Sequence, residues 1–339
     1  MAAGMISPPP SEENFLGLTF DAIHEQIIRY FRVVLDEEVM VPPVLLSRTT
    51  NLVFRTLVRG GRRYVFKVLR KRKPNAAFLR HCHRALSSFV PIKGIIHIDD
   101  SGKYLNAGIQ VSEYLNGVDV ATLIEKGAMT RQREEALARF LDRLCQASAC
   151  LELPVKGFGT YEPTMKMYGS FEESIEAFLA HYLGRFTALF GTGSEWYEIQ
   201  RILGSFFRVN VNRRPYHFGV VPLDTNLKSI VFLEGSDQIA LLHPPVLAYG
   251  AIPMGIGAVR AQIRNTTVED AFMRLAGKRL PGLAEEAPRI LFFETLILIG
   301  ILSFYCKSGA EAVITASTWG YRSSFIERIR SNLKELAGH

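Results

Sequence analysis

The sequence predicts an α+β protein of two lobes, a small antiparallel β-rich lobe followed by a large, mainly helical one. Three observations carry this. Two short β-rich runs, 52–58 and 63–69, flank Gly60–Gly61, and a Gly-Gly turn between such runs marks a hairpin. After SEYLNGVDVATLIEKG (112–127) the pattern changes to long helical segments. One β-rich island, 217–243, interrupts those helices. Strands and helices are segregated, whereas a doubly wound parallel sheet would alternate them.

In chain order, residues 1–14 (MAAGMISPPPSEEN) are small, polar and proline-rich, and read as a flexible tail without the apolar run of a signal peptide. Residues 15–40 carry Phe20, Ile23, Ile27, Ile28 and Phe31 at helical spacing, with Pro42–Pro43 as the stop. After the hairpin, 75–88 reads as a helix, and 92–99 and 106–113 as two strands around Asp99–Gly102. The small lobe is thus 15–111, and 112–118 is an extended hinge leading into a helical lobe over 119–339. Its helices are expected at 130–150, 170–191, 194–208 and from 267 onward. Inside the island, 228–233 and 238–243 form two strands joined by Glu234–Asp237.

Composition narrows the classes. The chain has 339 residues, 48% hydrophobic and 22% charged, which suits a globular protein of two domains or one two-lobed unit. Four cysteines, none in a CxxC pair or at zinc-finger spacing, exclude a disulfide scaffold and argue against sulfur-held metal. A reduced, cytoplasmic setting is expected. The greasiest stretch, Leu291–Cys306, is short and contains Glu294, so a buried core helix is expected and a membrane span is not. The net charge of +7 permits anionic partners and selects none. Arg59, Arg62, Arg63, Lys67, Arg70, Lys71, Arg72 and Lys73 crowd one region. A charged hairpin edge is the preferred reading over an anion-binding patch. No aromatic interleaving there suggests stacking of single-stranded bases, so nucleic acid is not indicated.

Several segments together resemble the aminoglycoside phosphotransferase and choline kinase families, of protein-kinase-like fold, over roughly residues 40–305. LLSRTTNLVFRTLV (45–58) is similar to the hairpin that covers nucleotide phosphates, with Asn51 at its turn. YVFKVLR (64–70) resembles the third strand, and Lys67 matches its phosphate-binding lysine. IQVSEYLNGVDVATLI (109–124) resembles the hinge, where Ser112, Glu113 and Tyr114 would lie beside an adenine. VVPLDTNLKSIVF (220–232) resembles the catalytic loop, with Asp224 at the aspartate that orients a substrate hydroxyl.

The resemblance also marks departures. Phosphoryl transfer needs a cation on the phosphates, an orienting carboxylate, and hard oxygen ligands for Mg²⁺. Five residues after Asp224, where the family places a metal-binding asparagine, stands Ser229. The second metal carboxylate, at the end of the next strand, is replaced by His243, and imidazole suits softer ions than Mg²⁺. Helix 75–88 holds no acidic residue to pair with Lys67, and the turn Ser47–Thr50 has no glycine. Of its histidines His81 and His83, one is expected to face the core and one solvent. ATP is the cofactor the resemblance implies, while the substitutions argue against Mg²⁺. The expected function is a degenerate, pseudokinase-like module that binds nucleotide or a protein partner. The alternative is an active ATP-dependent phosphotransferase acting on a small hydroxyl-bearing molecule through an altered metal site.

Overall fold

A computed structural model describes residues 17–339 apart from 49–50, 70–75, 153–156, 162–166, 191–192, 212–216, 265 and 308–324. The chain divides into two compact units, Met1–His81 with Lys93–Leu115, and Cys82–Ile92 with Asn116–His339.

The first unit is a five-stranded antiparallel sheet backed by one helix. Its strands β1 (Val44–Arg48), β2 (Leu52–Leu57), β3 (Arg63–Leu69), β4 (Ile95–Asp99) and β5 (Gly108–Glu113) run in the order β1-β2-β3-β5-β4. The β2–β3 turn uses Gly60 and Gly61 at φ of 85° and 79°, the left-handed region that glycine enters without strain. Alternation along β2 and β3 points Leu52, Phe54, Phe66 and Val68 inward against Ile23, Ile27, Tyr30 and Phe31 of α1 (Phe20–Val34). Thr19 caps α1 by accepting from the Ala22 N–H at 3.2 Å. The helix stops at Val34, well before Pro42–Pro43. Its end is set by Asp36, at φ 53°, with the Leu35 and Glu37 N–H groups both donating to the Phe31 carbonyl. The basic run is partly neutralised here: Arg59 pairs with Glu38 at 2.5 Å and Arg62 with Glu37 at 2.6 Å. Arg70–Lys73 lie outside the described residues. In α2 (Ala76–Ser87) Cys82 and Leu86 are buried, His81 is exposed and His83 half-buried, so the residues facing the core there are a cysteine and a leucine, and neither is a histidine.

The second unit layers helices around two three-stranded sheets. β6 (Gly117–Asp119), β9 (Ile230–Leu233) and β10 (Ile239–Leu241) form one, in the order β10-β9-β6. β7 (Gly159–Tyr161), β8 (Phe218–Pro222) and β11 (Leu247–Ala251) form the other, in the order β7-β11-β8. The two island strands are shorter than expected, because Leu227–Ser229 closes into a 3₁₀ turn and His243 lies two residues past β10. The helices in chain order are α3 (Val120–Glu125), α4 (Arg131–Ala149), α5 (Phe171–Phe190), α6 (Ser194–Phe206), α7 (Ile252–Ile263), α8 (Thr267–Arg279), α9 (Ala287–Lys307) and α10 (Phe325–Ala337). The sequence pattern places the last helical run from 267 onward and gives no sign of α7. This helix packs on α9, which also contacts α5 and α10.

α9 contains the apolar stretch and is a core helix: Leu291, Phe292, Phe293, Leu298 and Ile299 are buried. No helix of the described residues is long and apolar enough to cross a membrane. Glu294, fully buried in α9, is met by Arg264 at 3.1 Å, Arg328 at 3.3 Å and Arg260 at 3.7 Å. Arg328 also donates to the carbonyls of Ala261 and Arg260, tying α10 to α7. Burial lowers the Arg328 pKa, and Glu294 opposes that shift.

Candidate functional site

In the first unit, the residues assigned to nucleotide lie on β2, β3 and β5. Asn51 is half-buried at the entry to β2. Lys67 sits mid-β3, opposite Val53 on one side and Gln110 on the other. Ser112 is 4% exposed, between Val65 and Ile95. Glu113 ends β5, and its carboxylate accepts from the Gly94 N–H at 3.3 Å. Tyr114 comes next, with its N–H donating to the Arg63 carbonyl and the Arg55 guanidinium 5.8 Å from its ring centre.

A second lysine joins this group. Lys93 is 6% exposed and within electrostatic range of Lys67 and Glu113. Its pKa is pulled down to about 8, by burial first and by Lys67 second, with Glu113 resisting. The sequence signal was weak: a lone lysine in the apolar run VPIKGI, a pattern shared with snorkelling surface lysines.

In the second unit, β8 delivers the chain into the loop Leu223–Asn226. Leu223 N–H donates to the Val246 carbonyl at 2.8 Å, and buried Thr225 donates to the Ala258 carbonyl of α7 at 3.3 Å. The loop is thereby anchored, while the Asp224 side chain stays exposed. Asp224 Oδ1 accepts from the Asn226 N–H at 3.1 Å, and Asn226 Oδ1 accepts from the Lys228 N–H at 2.9 Å. These are Asx turns, in which short polar side chains satisfy nearby backbone donors.

Ser229 and His243 meet at the open end of the β9–β10 hairpin. Ile230 pairs with Leu241, and the ladder is extended by a 2.8 Å bond from Leu242 N–H to the Ser229 carbonyl. Ser229 Oγ lies 2.9 Å from His243 Nε2, and His243 Nδ1 lies 3.0 Å from the Pro244 carbonyl oxygen. The two positions that the resemblance gives to metal ligands thus hold a neutral hydroxyl and an imidazole bonded to each other. That donor set does not suit Mg²⁺, which takes hard oxygens in octahedral array. Among the described residues, no group of three or more His, Cys, Asp or Glu is placed to hold a metal ion.

The other carboxylates of this hairpin are at its far end. Glu234 accepts from Asn116, and Asp237 accepts from Gln132 at 2.7 Å and pairs with Arg133 at 3.8 Å. A strand of four residues separates them from Ser229 by roughly 13 Å at about 3.3 Å per residue. They border a separate cavity of about 500 Å³, lined by Gly117, Val118, Leu123, Arg133, Phe232 and Asp237 among others. Arg133 lies over the Phe232 ring there, 5.5 Å from its centre. Neither Asp224, Ser229 nor His243 lines that cavity.

No protein-family model and no curated protein sequence matches this chain. Solved structures do. A thermostable variant of the aminoglycoside phosphotransferase APH(4)-Ia, in ternary complex with AMP-PNP and hygromycin B, is similar with a TM-score of 0.70 at 17% identity, covering 94% of this chain and 100% of that one. A choline/ethanolamine kinase family protein from Mesorhizobium loti gives a TM-score of 0.59 at 12% identity, covering 93% of each chain. The amicoumacin kinase hAmiN, in complex with AMP-PNP, Ca²⁺ and Ami, gives 0.57 at 14% identity, covering 87% of this chain and 88% of that one. The small antiparallel sheet with its helix, and the helical unit with its embedded hairpins, are therefore those of the protein-kinase-like fold of the aminoglycoside phosphotransferases and choline kinases.

Proposed function

We propose that this chain is a kinase-fold protein that has lost metal-dependent phosphoryl transfer and acts as a binding or scaffolding module in the cytoplasm. The Ser229–His243 hydrogen bond carries this reading. Transfer normally requires a metal to neutralise the developing charge on the phosphates, and the two ligand positions are here engaged with each other. The engagement of Glu234 and Asp237 at the far end of the hairpin supports it, because neither carboxylate is placed to stand in for the missing ligand. In this reading Lys67 holds nucleotide phosphate without metal, and Asn51, Ser112, Glu113 and Tyr114 keep their places around the nucleotide. A protein partner receives the module.

The competing reading, an active phosphotransferase with a rebuilt metal site, is favoured by one observation: Asp224 is retained on an anchored loop with its side chain exposed. Calorimetry with ATP, with and without Mg²⁺, separates the two. The expected result is binding that does not depend on Mg²⁺, weakens in Lys67→Ala, and is accompanied by no turnover. ATP turnover that needs Mg²⁺ and disappears in Asp224→Asn would establish the phosphotransferase. Absence of binding in both conditions would remove nucleotide from the reading and leave the protein partner.

A further inference from the structure

The Ser229–His243 pair has a chemistry that does not involve nucleotide. A carbonyl oxygen only accepts hydrogen bonds, so the 3.0 Å contact with Pro244 places the imidazole proton on Nδ1. When the ring carries only this proton, its Nε2 lone pair faces the Ser229 hydroxyl 2.9 Å away and can accept that hydroxyl's proton. Nucleophile, base and orienting acceptor follow one another in hydrogen-bonded order, the arrangement by which a serine is activated. Both side chains are half-buried. Their spacing is held by backbone pairing, through the Ile230–Leu241 register and the Leu242 to Ser229 bond.

We infer that Ser229 is a nucleophilic serine, activated by His243, that accepts an acyl or phosphonyl group from electrophilic esters. Ser229 Oγ attacks the electrophilic carbon or phosphorus while its proton passes to His243 Nε2. The ester C–O or P–O bond breaks, and its electron pair leaves with the alcohol oxygen, which takes the proton from the imidazolium. The product is an O-acyl or O-phosphonyl serine. The surrounding backbone limits turnover beyond this product. The Ser229 N–H is bonded to the Asn226 carbonyl at 2.8 Å and the Lys228 N–H to Asn226 Oδ1 at 2.9 Å. Neither is placed to stabilise an oxyanion, the largest contribution to rapid acyl turnover. Ser229 is accordingly a site of stoichiometric modification.

The test uses the full-length protein and a short-chain fluorophosphonate probe, with the labelled residue mapped by mass spectrometry. With this probe fluoride is the leaving group, and the proton remains on His243 until buffer removes it. Ser236, exposed in the turn of the same hairpin, is an internal reference. The expected result is labelling of Ser229 about 100-fold faster than of Ser236, the low end for general-base assistance. Ser229→Ala abolishes the fast label. His243→Gln slows it about 100-fold and leaves Ser236 and the melting temperature unchanged. Ser229 reacting no faster than Ser236 overturns the inference, and that comparison is made on the unaltered chain. An unchanged rate in folded His243→Gln also overturns it. Nucleotide binding is read in a separate assay, so the failure of this inference and of the preceding one are distinguished.

Discussion

Lys93 stands in VPIKGI, where only its charge sets it apart from its neighbours. In the fold it is 6% exposed, and burial takes its pKa down to about 8. An unfolded lysine titrates near 10.4. Below pH 8 the lysine is protonated in both states, and the folded protein bears the net cost of burying the charge after Glu113 has offset part of it. As pH rises from about 8 to about 10.4, the folded state releases its proton first, so the unfolded state binds more protons and stability increases. Lys93→Met is therefore expected to be more stable than wild type at pH 7, by at most about 3 kcal/mol at 1.36 kcal/mol per pKa unit. The advantage shrinks toward pH 10, as denaturation midpoints at the two pH values will show. The thiols divide in the same way. Burial pushes Cys82 and Cys145 up to about 12, while Cys150 is exposed. Iodoacetamide at pH 7.5 is expected to modify Cys150 and spare Cys82 and Cys145 in the native protein, read by peptide mapping. Charge and cysteine positions were legible in the sequence. Burial was not, because it depends on which neighbours the fold supplies.

At the scale of an element, α7 shows why a helix can be missed. IPMGIGAV contains a proline and two glycines, which weaken any helical expectation. In the structure Pro253 lies in the first turn, where its missing N–H costs nothing. Gly257 is required by proximity. A Cβ there would sit 2.8 Å from the Ile290 carbonyl oxygen and the Glu294 nitrogen of α9, both backbone atoms that a rotamer change cannot move. Gly257→Ala is expected to destabilise by about 1–3 kcal/mol, through forced separation of the two helices. Gly277 in α8 is the control. It is exposed, and a Cβ added there would have nothing within 4 Å, so Gly277→Ala should stabilise by about 0.5–1 kcal/mol through helix propensity. Opposite signs for two glycines in neighbouring helices, measured by urea denaturation, test the packing argument. The β2–β3 hairpin lies at the other extreme. Gly60–Gly61 and the flanking alternation define it locally, and no distant contact is needed to place it.

For the whole molecule, the charge centred on Glu294 joins three helices of the second unit. Glu294 is buried beneath Arg260, Arg264 and Arg328. Glu294→Ala leaves those guanidinium groups without their shared counter-charge, and a loss of about 3–5 kcal/mol is expected. The loss should appear first as faster tryptic cleavage within Phe325–Ala337, because α10 is held through Arg328 and Asn332. In the sequence Glu294 was only a charge interrupting an apolar run; its partners come from positions 30 or more residues away. Legible along the chain were the segregated α+β order, the hairpin and its glycines, the α1 face, and the resemblance that pointed to Lys67 and Asp224. Each of these rests on local periodicity, turn chemistry or motif spacing, which a linear chain displays. Tertiary structure alone decided the burial of Lys93, the place of α7, the docking of α10 and the meeting of Ser229 with His243. Those features arise where chain segments distant in sequence come within a few ångströms, and hydrogen-bond geometry and desolvation exist only at that range.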